Sequence, residues 1–324
     1  MAEKIRAIRA GVRGALLLAI VLPIVSCAHA HPGNRAFAYE REIENPAFAA
    51  GAGPRIFIDE SHCNLHTAGG LYKAFADLLR RDGFVVEPLT QRFTAATLAG
   101  VKTLVIANAL GERNCRGKWD LPTPSAFRTD EITAVEEWVD GGGALLLIAD
   151  HMPFPGAAED LARAFGIGFL NGYALRDHGE RPIRFERSAG TLAENPITAG
   201  RSAAEQVDAV VSFTGQGFRP LRGEVTPLLT IPAEVTLRLP REANVFTETT
   251  PSFSAEGLLQ GAVLSHGKGR VAVFGEAAMF SAQEVTQDGK LVQFGMNAPG
   301  AEQNAQFVLN VMHWLTGLLD AKAS

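Results

Sequence analysis

Four stretches of this 324-residue chain hold unbroken apolar runs: "RIFI" from Arg55, "TLVIANAL" from Thr103, "ALLLIA" from Ala144 and "RVAVFG" from Arg270. A strand with one wet face alternates apolar and polar residues, whereas an unbroken apolar run needs cover on both faces. The segments between them supply that cover. "LYKAFADLLRRDG" places Leu71, Phe75, Leu78 and Leu79 on one helical face and stops at Gly83. "TDEITAVEEWVDGGG" is a helix with Thr129 or Asp130 as N-cap, an apolar face of Ile132, Val135, Trp138 and Val139, and early acids that suit the helix dipole. "GAAEDLARAFG" is a third helix, and "AEQNAQFVLNVMHWLTGL" closes the chain with a stripe of Phe307, Val308, Val311, Met312 and Leu315. Strand and helix in alternation predict an α/β fold with a doubly wound, mostly parallel sheet. From about 170 to 265, Pro and Gly recur at short intervals among pieces such as "PIRFER" and "LLTIPAEVTLRL". This middle is expected to add strands and loops at one edge or end of the sheet.

Ahead of the fold stands a basic lead, "MAEKIRAIRAGVRG", and then the apolar run "ALLLAIVLPIV". Its length suits a signal core and falls short of the ~20 residues that span a bilayer. Two exits are open. "AHA" before His31 offers small residues for ordinary cleavage, and "IVSC" ending at Cys27 has the form of a lipobox, whose cysteine would be lipidated. Residues 1–27 are therefore expected to be a signal peptide, 28–54 a tether, and 55–318 a single domain. The expected location is outside the inner membrane, as a periplasmic protein or an outer-membrane lipoprotein touching the membrane only through its lipid.

The chain carries 30 Lys and Arg against 35 Asp and Glu, and losing the basic leader makes it more acidic. A nucleic-acid partner would need a basic face, and the sequence has no basic run beyond pairs such as Arg80-Arg81. A small-molecule ligand is the expected partner.

In an open parallel sheet, ligands bind beyond the carboxyl ends of the strands. Asp59, Glu60 and His62 follow the first run, Asn108 the third-strand run, Asp150 and His151 "ALLLIA", and Glu276 "RVAVFG". Any one strand-end acid more often caps a turn than does chemistry. Together they predict a shared ionisable rim, with His151 or His62 as general base and a carboxylate orienting it. Pro153 and Pro155 would stiffen the loop that carries His151.

His62 and His66 have metal-ligand spacing, and a third ligand from Asp150, Asp59 or His151 would complete a set for a divalent metal such as zinc. That inference is weakened by Gly69 and Gly70, which delay the helix past both histidines. No other cofactor is indicated. Cys63 and Cys115, in an exported chain, are expected to pair as a disulfide. A nucleophilic Cys63 is the alternative, but it lacks a strand, tight turn and helix around it. His266 reads as a turn residue, His178 as a surface-loop residue and His313 as part of the last helix. Glu302, Gln303, Asn304 and Gln306 either cap that helix or belong to a lid.

The series "IFIDESH", "VKTLVIANA", "WVDGGGALLLIAD", "VVSFTG" and "GKGRVAVFGEAAMF" resembles the class I glutamine amidotransferase-like superfamily. It is most similar to an uncharacterised bacterial envelope branch akin to domains of gliding-motility and intraflagellar-transport proteins. The resemblance covers about residues 54–318 and implies a flavodoxin- or amidotransferase-like sheet. Amidotransferases of this class carry a Gly-x-Cys-x-Gly turn with a downstream His and Glu. Here Asp150, His151 and Met152 follow the corresponding strand, so the departure implies no glutaminase triad. The expected activity is a hydrolase acting on a small or carbohydrate-like substrate. The competing expectation is a non-catalytic module that binds a ligand or envelope partner, and an inert structural domain is the third.

Overall fold

A computed structural model describes residues 35–36, 39–176, 182–287 and 290–320. The leader, Cys27 and His178 lie outside the described residues. Among the described residues no helix is long and apolar enough to cross a membrane.

The apolar runs form the centre of a nine-stranded sheet. Its strands in chain order are β1 (Arg55–Asp59), β2 (Val85–Leu89), β3 (Thr103–Ala107), β4 (Ala144–Ile148), β5 (Ile167–Phe169), β6 (Phe218–Pro220), β7 (Thr226–Thr230), β8 (Leu259–His266) and β9 (Gly269–Phe274). They lie in the order β2-β1-β3-β4-β9-β8-β6-β5, with β7 also paired to β8. The first five in that row are parallel, and β8, β6, β5 and β7 join through antiparallel pairs. The sheet is thus the mostly parallel, α/β arrangement that the apolar runs require. The middle of the chain supplies β5 to β8, a separate three-stranded sheet of Tyr173–Arg176, Val235–Arg238 and Ser252–Ser254, and the pair Ile183–Glu186 with Ala209–Ser212.

Alternate side chains of each central strand enter different cores. Ile56, Ile58, Val105, Leu146 and Phe274 pack with α1 (Lys73–Arg81) and with the closing helix, α4 (Asn304–Leu315). Leu104, Ile106, Leu145, Leu147 and Val273 pack on the other face with α2 (Thr129–Asp140) and α3 (Phe154–Ala164). Each buried Leu or Phe removed from water stabilises the fold by about 1.5–3 kcal/mol, so neither face can be left uncovered. α2 begins one residue earlier than its composition suggests, with Arg128 as N-cap. The Arg128 backbone N–H donates to the Glu131 carboxylate at 3.1 Å.

The expected tether is not free over its second half. The Tyr39 carbonyl accepts from Arg81 at 2.8 Å and the Asn45 carbonyl from Arg201 at 2.7 Å. The Ala47 N–H donates to buried Asp82 at 2.7 Å, and Phe48 packs edge-on against Phe84. Upstream, Arg35–Ala36 pairs with Ala282–Gln287. A loose linker would leave these backbone groups to water, whereas here Arg81 and Arg201 donate to two of its carbonyls and Asp82 accepts from one of its N–H groups. His313 is more than a helix residue: its Nε2 lies 2.6 Å from Asp82, and both side chains are fully buried.

Candidate functional site

The order β2-β1-β3 reverses direction at β1, so the loops that leave β1 and β3 part company and open a crevice at their carboxyl ends. The loop after β1 folds around Asp59. Its Oδ1 accepts from the Ser61 N–H at 3.0 Å and the Ser61 hydroxyl at 2.8 Å, and its Oδ2 accepts from the Asn64 amide at 3.0 Å. Asp, Ser and Asn side chains bonding to neighbours in this way build a turn without regular structure.

His62 closes this turn and is fully enclosed. Its Nδ1 lies 2.9 Å from Asp59 and its Nε2 2.9 Å from Glu131 at the start of α2. Phe93 and Phe127 pack against the ring at 4.5 and 4.8 Å. Burial opposes a charge on the imidazole, but the hydrogen bonds and charges of Asp59 and then Glu131 outweigh it and hold the pKa above 6.5. Glu131 is the converse: burial favours its neutral form, while His62, the Arg128 N–H and Arg92 pull its pKa below 4.5. Arg92 reaches it at 2.8 Å. The two carboxylates thus favour the charged form of His62 and engage both of its ring nitrogens, so neither is turned toward a substrate or a metal as a general base or ligand would need.

A second cluster forms around Asn108, just past β3. Asn108 has φ +49°, a left-handed conformation that Asn tolerates better than most residues. That turn aims its amide both ways along the crevice: Oδ1 accepts from the Asp150 N–H at 2.9 Å, and Nδ2 donates to His66 Nδ1 at 3.1 Å. With Nδ1 accepting, the His66 proton sits on Nε2. That nitrogen is buried with no hydrogen-bond partner among the described residues. Burial, then the proximity of His151, lowers the His66 pKa to about 3, so the ring is neutral.

Asp150 and Glu276 complete this cluster from the ends of β4 and β9, which are neighbours in the sheet. Asp150 accepts from the N–H groups of His151 at 2.7 Å and Ala277 at 3.2 Å. Glu276 is 1 % exposed and accepts from the Met279 N–H at 2.7 Å. Burial, then the Asp150 charge, pushes the Glu276 carboxyl well above its ordinary range, against the pull of backbone N–H groups. Tyr72 donates to the Ala277 carbonyl at 3.2 Å, and burial with the same two acids raises its phenol well above 10. His151 donates through Nδ1 to the Met152 carbonyl at 2.9 Å, and its ring stacks on Tyr173 at 4.4 Å.

The strand-end residues thus gather into two neighbouring networks instead of one rim. Asp59 and His62 join Glu131, while Asp150, His151 and Glu276 join His66, Asn108 and Tyr72. Glu60 does neither: its carboxylate accepts from the Ala68 N–H at 2.8 Å and fixes the loop. The set His62, His66 and Asp150 does not fit a metal, because His62 spends both nitrogens on carboxylates and His66 Nδ1 faces the Asn108 amide. Among the described residues no group of three His, Cys, Asp or Glu side chains is placed to hold one.

Cys63 and Cys115 form a disulfide, Cα to Cα 5.8 Å, joining the β1 loop to the short helix Glu112–Cys115. The segment before α4 is not a lid. Gln303 accepts from the Asp208 and Ala209 N–H groups, and Asn304 bonds both backbone groups of Val211. Glu131 was hidden in the sequence because an acid in a first helical turn looks like a dipole partner. The only hint was that it sits three residues after the N-cap, where a glutamate can turn back toward the preceding chain.

No family model matches the chain, and no curated protein matches it. Among solved structures it is similar to the mmIFT52 N-terminal domain, with a TM-score of 0.53 at 16% identity over 83% of this chain and 99% of that one. That likeness is one of fold. A putative ThuA-like protein from Bacteroides uniformis aligns with a TM-score of 0.43 at 12% identity, over 85% of this chain and 94% of that one. A beta-galactosidase from Rahnella sp. aligns with a TM-score of 0.41 at 12% identity, over 81% of this chain and 31% of its own.

Proposed function

We propose that the chain is a hydrolase for a small, carbohydrate-like substrate, working at the Asp150–Glu276 pair. The observation that carries this reading is a fully buried carboxyl beside a second one at the ends of neighbouring parallel strands, a setting that favours the proton on Glu276. Two acids whose environments differ in this way divide the labour of acid and base. Glu276 would give its proton to the leaving oxygen as the C–O bond breaks. Asp150 would take a proton from the attacking water, whose oxygen forms the new C–O bond. Proton transfer from Asp150 back to Glu276 restores the pair. His66 Nε2–H is a ready donor to a substrate oxygen, and His151 lies close enough to His66 to share the pocket. His62 stands outside the chemistry and sets the shape of the β1 loop. The leader and "IVSC" support export, to the periplasm or to the outer membrane on a lipid carried by Cys27.

One observation favours a non-catalytic, ligand-binding module instead: both Asp150 oxygens already accept backbone N–H groups. A panel of nitrophenyl glycosides and acetylated sugars separates the two. The hydrolase reading expects turnover of at least one substrate, lost in Glu276→Gln and Asp150→Asn with ligand affinity kept. Affinity without turnover in the unaltered chain would establish the binding module.

A further inference from the structure

Arg238 ends the strand Val235–Arg238 and stands directly opposite Tyr173 in the antiparallel register. Directly opposed residues share a face, with Cβ atoms about 5 Å apart. Tyr173 in turn stacks on His151, and Phe246 meets the Tyr173 ring edge-on at 5.2 Å. The Arg238 guanidinium lies over the Phe246 ring, 4.6 Å from its centroid. Arg238 is half-buried, and among the described residues no carboxylate accepts from it. A guanidinium over a ring face is held there by the ring's charge distribution and not by hydrogen bonds, so its N–H groups stay available to a ligand. The aromatic contact therefore orients this cation without using its hydrogen bonds, one strand spacing from the residue that backs His151.

We propose that this end of the sheet takes a sugar acid, a polyhydroxylated ligand whose carboxylate pairs with Arg238 while its hydroxyls reach the Asp150–Glu276 end. This rests on the reading of that pair as a carbohydrate-like site. Carboxylates and a neutral imidazole bond hydroxyls well but give no reason for an oriented, unpaired arginine nearby. A planar carboxylate fits the arginine fork through two parallel hydrogen bonds.

Titration calorimetry of the full chain with glucuronic acid, its neutral methyl ester and glucose 6-phosphate tests the assignment. Glucuronate is expected to bind at least ten-fold more tightly than the ester at low ionic strength, with the gap closing as salt is added. Arg238→Gln is expected to bring the acid down to the ester's affinity, and Arg238→Lys to keep part of the preference. The salt series uses the unaltered chain, so it answers the question even where a variant does not fold. Equal binding of acid and ester, a preference that survives Arg238→Gln, or tighter binding of the phosphate overturns the carboxylate assignment and leaves the hydroxyl-binding pair standing. No binding of any probe overturns both.

Discussion

Asp150 and Glu276 end neighbouring parallel strands, and the charge of the first helps keep the proton on the second. Replacing one member therefore tests both the chemistry proposed for the pair and its effect on stability.

Glu276→Gln keeps a neutral side chain of the same shape and removes the acid. Turnover is expected to fall by roughly 10²–10⁴, the usual contribution of a general acid, with ligand affinity little changed. The fold raises the Glu276 pKa, so its stabilising contribution is complete below about 4.5 and declines as pH rises toward the folded value. Urea unfolding of the variant should show a shallower loss of stability above that pH than the unaltered chain. Parallel curves would contradict the assignment.

The Asp59–His62–Glu131 network has the opposite pair of signs at its ends. His62, with its pKa raised, stabilises fully below 6.5, and that contribution is lost as pH climbs through its folded value. Glu131, with its pKa lowered, stabilises above 4.5 and fails as pH drops through its folded value. The network is strongest between those limits. Glu131→Gln leaves a buried imidazolium with one carboxylate and is expected to cost about 3–5 kcal/mol at pH 5.5, measured by the unfolding midpoint in urea. A cost that is the same at pH 8.5 would show that the ion pair is not its source.

Joining residues 52 apart, the Cys63–Cys115 bridge should stabilise the fold by about 4 kcal/mol through the closed loop it imposes on the unfolded chain. Cys63→Ser with Cys115→Ser, or reduction by dithiothreitol, is expected to lower the melting temperature by a matching amount. By mass spectrometry the unreduced protein should be lighter than the reduced form by two hydrogen atoms.

Asn108 links the two strand ends through an amide that both donates and accepts. Asn108→Asp keeps the acceptor toward the Asp150 N–H and removes the donor toward His66, while adding a charge beside buried groups. It is expected to destabilise by about 1–3 kcal/mol and to raise the affinity of His66 for a proton, seen as a movement of its ring resonances toward neutral pH in nuclear magnetic resonance. An unmoved His66 titration would rule out the bond.

The unbroken apolar runs made the sheet legible, because a strand buried on both faces has no room for polar residues and a helix on each side must answer it. The same logic carried Asp150, His151 and Glu276 to one edge of the sheet. What it could not supply is which strand-end groups turn toward the crevice and which turn toward a helix. Asp59 and His62 look inward to Glu131, a partner 69 residues away that sequence spacing cannot bring close. The unpaired nitrogen of His66 and the left-handed turn at Asn108 arise from tertiary packing, and neither leaves a local pattern. Residues 39–54 read as a linker because their composition is mixed. The body grips them through backbone groups at Tyr39, Asn45 and Ala47 and through the packed ring of Phe48, which no local pattern announces.

That grip fixes how mechanical load would enter the molecule. A pull on residues 39–47 is shared among Arg81, Arg201 and Asp82, and through Asp82 it passes to His313 of α4. The segment that leads into the fold and the helix that closes it would thus bear tension together, so loosening either one would slacken the other.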